Sequence, residues 1–248
     1  MEMDYQAIII NEDAGGLPRG QGNGILLDSE RGIIATVAHG VKRGSRCRVF
    51  LKERAYPATF QYDFVNWQTD IALVTLEGAG DDILPDPPVI IDELHAGADI
   101  MVPGFLPREE DSIRGILRSY YNLNVLKEIC PASVKGKVVA MHQSLARMGL
   151  DAFFEEMAAL QQTETGFSVP PEKTRLFYDD YIILELEGLD QHLARGLSGS
   201  PVVDTDGQVI GIFSIVLNGK DLSMAAAIPV SVSQRLLASF VDNTRAPA

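Results

Sequence analysis

The chain predicts an all-β fold of the sandwich or barrel type. Short runs rich in Val, Ile, Thr and aromatic residues recur along most of its length, and turn residues separate them. Helical periodicity is confined to two places. No internal repeat or low-complexity tract is legible. The length of 248 residues suits one large β domain or two small ones, and 46% hydrophobic residues suffice for a packed core.

Taken in order, GILLD and IIATVAH flank the turn SERG and read as a hairpin. CRVFLKE, ATFQYD, DIALVTLE, PVIID, DIMVPGF, GKVVAM and YIILELE follow as candidate strands. VVDTDGQVIGIFSIVL is a second hairpin, with Asp206-Gly207 in its turn. The first helical stretch runs from Ser144 to Gln162, where Leu150, Phe153, Phe154 and Met157 share one face. The loop ETGFSVPPEKTR follows it. The second is SVSQRLLASFVDN, with Val232, Leu236, Leu237 and Phe240 on one side.

Bulk properties exclude several functions. No apolar run approaches the roughly 20 residues of a membrane helix, so no membrane partner is expected. MEMDYQAIIINED carries acids where a secretory leader has basic residues, and its apolar run is too short. Cys47 and Cys130 are too few for a disulfide framework and fit a reducing compartment, so a cytoplasmic location is expected. A net charge of −13 argues against nucleic acid as a partner. His95 and His142 have no Cys or acid partners at ligand spacing, so neither a metal nor another cofactor is expected. GQGNG, Gly20 to Gly24, has the look of a phosphate loop, but a strand rather than a helix follows it.

ARGLSGSPVVD places Ser198 among turn residues directly before a strand, which suits either a plain turn or an exposed nucleophile. A serine hydroxyl needs an adjacent base, and the base needs an orienting group. His39 ends the apolar strand IIATVAH, and Asp70 opens the apolar strand DIALVTLE. A buried acid there requires a hydrogen-bond donor, which a histidine N–H supplies. No histidine follows Ser198, which excludes the Ser, acid, His order of α/β-hydrolases and leaves His, Asp, Ser.

With that order in place, TVAHGV, TDIALV and GLSGSPV resemble the T-A-A-H, D-I-A-L and G-x-S-G-G/S-P segments of trypsin-like (chymotrypsin-fold) serine peptidases. GQVIGIFS is similar to the strand after their nucleophile. AAIPVS is similar to the closing strand of bacterial members such as the HtrA and glutamyl-endopeptidase groups. The matches stand in family order over residues 20 to 241. The resemblance implies two antiparallel β-barrels of the chymotrypsin fold: residues 1–100 carrying His39 and Asp70, and residues 101–248 carrying Ser198. A helical insertion at about 141–177 would lie in the second barrel, and a helix would close the chain. It implies a serine endopeptidase acting on a protein or peptide, with His39, Asp70 and Ser198 catalytic and the N–H groups of Gly196 and Ser198 as the oxyanion hole.

Departures from the family qualify that expectation. Leu197 stands where digestive members have Asp and many bacterial ones Asn. It either packs beneath the loop or leaves the loop unset until substrate or a partner arrives. His192 stands at the base of the specificity pocket by alignment, where trypsin has its acid, so a basic P1 residue is not supported. Ser214, Ile215 and Val216 would pair with substrate, and Ala226, with Ala225 and Ala227, would form the facing wall. Val216 and the alanines favour a small or medium aliphatic P1. A histidine also suits an acidic P1, although the key histidine of glutamyl endopeptidases sits on the wall strand. The 141–177 insertion is longer than compact bacterial members need and is a candidate surface for a regulatory protein partner. A partner-triggered peptidase and a silent, protein-binding relative of the family are the alternatives.

Overall fold

The computed structural model describes residues 3–13, 15–16, 18–41, 46–52, 54–66, 69–107, 129–144, 180–190, 193, 196–217 and 224–245. Strands β1 (Gln6–Glu12), β2 (Pro18–Asp28), β3 (Ile33–Val37), β4 (Arg46–Leu51), β5 (Arg54–Phe60) and β6 (Ile71–Leu76) close an antiparallel barrel in the order β1-β2-β3-β6-β5-β4. Strands β7 (Asp99–Pro107), β8 (Ile129–Gln143), β9 (Tyr181–Leu186), β10 (Pro201–Val203), β11 (Val209–Val216) and β12 (Met224–Pro229) close a second in the order β7-β8-β9-β12-β11-β10. The two orders are the same topology used twice. Helix α1 (Val230–Arg245) follows β12 without a break. This is the expected two-barrel chymotrypsin fold.

Burial explains why some strands alternate and others do not. In β5 only Tyr56, Ala58 and Phe60 are buried, and they point into the first barrel. In β3 all five residues are buried. Ile34 faces the interior of its own barrel, whereas Ile33, Ala35 and Val37 pack against Tyr181, Ile183, Ile212 and Ile228 of the second. A strand buried on both faces reads as a continuous apolar run, which accounts for IIATV and VIGIFSIV. The same inter-barrel core receives Val230 and Val232 of α1, with Leu236, Leu237 and Phe240 packed at its margin. Phe240 meets Phe64 of the first barrel edge-on, with ring centroids 5.0 Å apart. The predicted amphipathic face of the last helix therefore joins the two barrels.

Polar side chains also tie them together. Strand β10 pairs with β7 only at Val203 and Met101. Beyond that point Gln6 Nε2 donates to the Pro103 carbonyl at 2.8 Å, and Gln21 Nε2 donates to the Phe105 carbonyl at 2.7 Å. These amides from the first barrel serve backbone acceptors that the short ladder leaves open.

Several local expectations change. PVIID forms no full strand: it makes an isolated parallel bridge, Ile90 to Val209. Pro85 and Pro87 precede it and Pro88 opens it, and proline carries no N–H to extend a ladder. The run QAIIINE, considered above only as a leader, is β1. The second hairpin turns over Asp204 to Gln208 rather than over two residues, with Gly207 at φ +81° and a bulge at Val202/Val203. Met141 to Gln143, where the insertion was expected to begin, end β8. The rest of the predicted helix, 145–162, lies outside the described residues, as do the remainder of the insertion and His192. Among the described residues no helix is long and apolar enough to cross a membrane, and no three His, Cys, Asp or Glu side chains group as metal ligands.

Candidate active site

The β3–β6 register brings the first two residues together. Val37 pairs with Ile71, so the positions just beyond the ladder are Ala38 and Asp70, and Ala38 N–H donates to the Asp70 carbonyl at 2.8 Å. The chain then bends into a 3-10 turn, Ala38–Gly40, which lifts His39 off the strand end. Asn11 Nδ2 holds this turn by donating to the Gly40 carbonyl at 3.0 Å. Asp70 adopts φ +55°, a left-handed conformation that Asp tolerates better than most residues.

Asp70 is 4% exposed, and three donors satisfy its carboxylate. His39 N–H donates to Oδ1 at 2.9 Å, and His39 Nδ1 lies 2.9 Å from Oδ2. Ser214 Oγ donates to Oδ2 at 2.5 Å. A carboxylate at Nδ1 places the proton there and leaves the Nε2 lone pair free. Burial pushes the imidazole pKa down, but the negative charge of Asp70 and its hydrogen bond outweigh that and hold it above the usual histidine value.

Ser198 arrives from the second barrel. Gly199 takes φ +86°, and its N–H donates to the Phe213 carbonyl at 2.9 Å. Ser214 is the extra residue of a bulge between Phe213 and Ile215, and bulges re-aim side chains. Its hydroxyl reaches Asp70 while its carbonyl accepts from Ser198 Oγ at 3.3 Å. One residue thus bridges the acid of one barrel and the serine of the other. The Ser198 hydroxyl is not hydrogen-bonded to His39; such bonds are often long before substrate binds.

This arrangement of His, Asp and Ser across two Greek-key-like barrels coincides with a family match. The description "Trypsin-like peptidase domain" fits residues 22–212. The chain belongs to the trypsin-like peptidase family. It is a serine protease. No curated protein matches its sequence. Among solved structures, the active form of the Rv3671c protease from M. tuberculosis matches with a TM-score of 0.59 at 16% identity, over 95% of this chain and 80% of the other. The HtrA-type protease AlgW with a tripeptide matches with a TM-score of 0.63 at 16% identity, over 96% of this chain. This trypsin-like peptidase spans 60% of that protein's chain. At this identity the likeness is one of fold.

In the peptidase, Leu197 is fully buried in the core of the second barrel, the packing outcome of its two sequence readings. Its N–H donates to the Leu193 carbonyl at 3.0 Å. A Cβ on Gly196 would stand 2.0 Å from Leu106 Cδ2, itself buried, which explains glycine at that position. Ile215 pairs with Ala226 and Val216 with Ala225 in the β11–β12 ladder. The Ile215 and Ala226 side chains lie in the inter-barrel core, while Ala225 and Ala227 face the second barrel's interior. Sequence reasoning assigned Ser214 to the substrate strand and missed its hydroxyl contact with Asp70. It also passed over Asn23, a fully buried amide inside GQGNG. A polar residue between two glycines in a β run was the available signal.

Proposed function

We propose that the protein is a serine endopeptidase in which His39, Asp70 and Ser198 form the catalytic triad. The observation that carries this is the doubly held His39: Asp70 accepts both its backbone N–H and its Nδ1–H, and Ser214 joins the same carboxylate to Ser198. Ser198 Oγ turns from the Ser214 carbonyl and attacks the scissile carbonyl while His39 Nε2 takes its proton. His39 then protonates the leaving amine, and Asp70 stabilises the imidazolium throughout. The N–H groups of Gly196 and Ser198 bind the oxyanion, each worth about 10²–10³ in rate. Water enters by the reverse sequence and releases the acyl group. Substrate pairs with the Ser214–Val216 edge, and half-buried Val216, outside the inter-barrel core that takes Ile215 and Ala226, favours a small or medium aliphatic P1. Cys47 and Cys130 form no disulfide, which supports action in a reducing compartment such as the cytoplasm.

A fluorophosphonate probe tests the chemistry. The parent protein is expected to label at Ser198, and Ser198→Ala and His39→Ala are expected to stay dark. The Ser214-bound hydroxyl also favours a second reading, a peptidase latent until a partner docks. Labelling that appears only when cell lysate is added selects that reading; silence in both conditions selects the non-catalytic binding module.

The 141–177 insertion extends this proposal to regulation, on the strength of its length and its position before the Ser198 segment. Its removal is expected to change turnover of a small peptide substrate. Unchanged turnover counts against a gating role.

A further inference from the structure

GQGNG lies within strand β2 and sets a buried amide against the loop that carries Ser198. We propose that Asn23 is a positioning residue that fixes the Gly196–Ser198 loop of the second barrel from the first; this rests on the reading of Ser198 as nucleophile.

Three successive carbonyls of the loop are each hydrogen-bonded. The Gly196 carbonyl accepts from Asn23 Nδ2 at 2.7 Å. The Leu197 carbonyl accepts from Ser200 N–H at 2.9 Å. The Ser198 carbonyl accepts from Asn23 N–H at 3.0 Å. Two of the three donors belong to one residue of the opposite barrel. The peptide unit that carries Ser198 N–H also carries the Leu197 carbonyl, and the two point in opposite directions because the unit is planar and trans. Tying that carbonyl to Ser200, and the peptide units on either side to Asn23, sets the direction of the Ser198 N–H. That is the amide assigned to the oxyanion.

Asn23 is itself held at every polar atom. Its Oδ1 accepts from Phe105 N–H at 2.9 Å, which fixes which way the amide faces. Its carbonyl accepts from Thr36 Oγ1 at 2.7 Å. Thr36 lies on β3, the strand that leads into His39. The path from the imidazole-bearing strand to the nucleophile loop is therefore Thr36, Asn23, then Gly196 and Ser198. Gly24 lets this strand sit so close, since a Cβ there would stand 2.9 Å from the Ala35 carbonyl and 2.7 Å from Ile34 Cγ2.

Gln21 supplies the control. It lies on the same strand and donates to the same segment, at the Phe105 carbonyl, but makes no hydrogen bond to the Gly196–Ser198 loop. Steady-state hydrolysis of the p-nitrophenyl ester of an N-acyl alanine, the rate of fluorophosphonate labelling and the melting temperature are measured for the parent, Asn23→Ala, Asn23→Asp and Gln21→Ala. Asn23→Asp keeps the acceptor for Phe105 N–H and turns the Nδ2 donor, which serves the Gly196 carbonyl at 2.7 Å and the Phe105 carbonyl at 3.5 Å, into an acceptor. Both Asn23 variants are expected to lose about 10- to 100-fold in kcat and in labelling rate with KM within about twofold, as misplacement of a reacting group produces. Gln21→Ala is expected to lose melting temperature but not kcat. Asn23 variants that lose no more kcat than Gln21→Ala, or that change KM alone, overturn the proposal while leaving the peptidase reading intact. A parent that neither labels nor hydrolyses the ester overturns that reading, and the role of Asn23 with it.

Discussion

Asp70→Asn is expected to reduce kcat/KM by about 10⁴-fold while leaving the fold standing, the size of effect that loss of the wrong-tautomer safeguard has in a Ser-His-Asp set. The carboxylate accepts three hydrogen bonds within one buried pocket. An amide has the same shape but only one acceptor, and its NH₂ cannot face Nδ1–H. The imidazole then carries its proton on Nε2, the atom that must receive the serine proton. The pH profile gives an independent reading. In the parent, Asp70 holds the His39 pKa above the ordinary value of 6.5, so the acid limb of kcat/KM falls above that pH. The neutral base is the active form, so activity rises as pH passes upward through this limb. Without the carboxylate charge, burial acts alone and favours the neutral imidazole, which moves the limb of the residual activity to lower pH. A loss under tenfold, or a limb that stays in place, shows that Asp70 does not orient the base.

The residues of the proposed triad stood out in the sequence because His39 and Asp70 lie where apolar strands stop abruptly at a polar residue, and Ser198 lies among turn residues before β10. The register that joins them did not. Nothing in TVAHGV or TDIALV states that Val37 faces Ile71, yet that pairing alone puts His39 over Asp70. The barrels were legible as strands but not as two copies of one topology. A closed barrel asks of each strand an inward apolar face and a workable turn, and many sequences satisfy that, so IIATV and YIILEL need share no motif. QAIIINE went unassigned because both of its ends are polar; Gln6 and Asn11 spend their amides on Pro103 and Gly40, not on solvent. PVIID had strand composition, and its neighbouring prolines decided against it. Asn23 was the deepest omission. Its side-chain partners lie 82 and 173 residues away, and no local pattern encodes contacts at that range.

Gly199→Ala is expected to abolish cleavage and to lower the melting temperature well beyond the strain of its backbone. Two costs fall on one methyl group. At φ +86° any L side chain is disfavoured, by about 1–2 kcal/mol. The added Cβ also stands 2.0 Å from the Asn23 carbonyl oxygen and 2.8 Å from Thr36 Oγ1. That oxygen belongs to a strand laddered to β1, through the Asn23 pairing with Ile8, and is tethered by Thr36, so it does not yield as a side-chain tip would. The loop must move off the first barrel instead, which breaks the Asn23 bonds to the Ser198 and Gly196 carbonyls together. Overpacking of this kind adds about 1–3 kcal/mol. For a chain of this size each kcal/mol lowers the melting temperature by about 2–4 °C. Gly78→Ala isolates the first cost: Gly78 has φ +74°, and a Cβ there meets nothing within 4 Å. It is expected to melt only a few degrees low, by about 2–4 °C for each kcal/mol of backbone strain, and to keep full activity. If Gly199→Ala behaves like Gly78→Ala in both melting and cleavage, the serine loop is not pressed against the first barrel, and alignment of the two halves of the site must come from the inter-barrel apolar core and the Gln6, Gln21 and Ser214 hydrogen bonds that cross it.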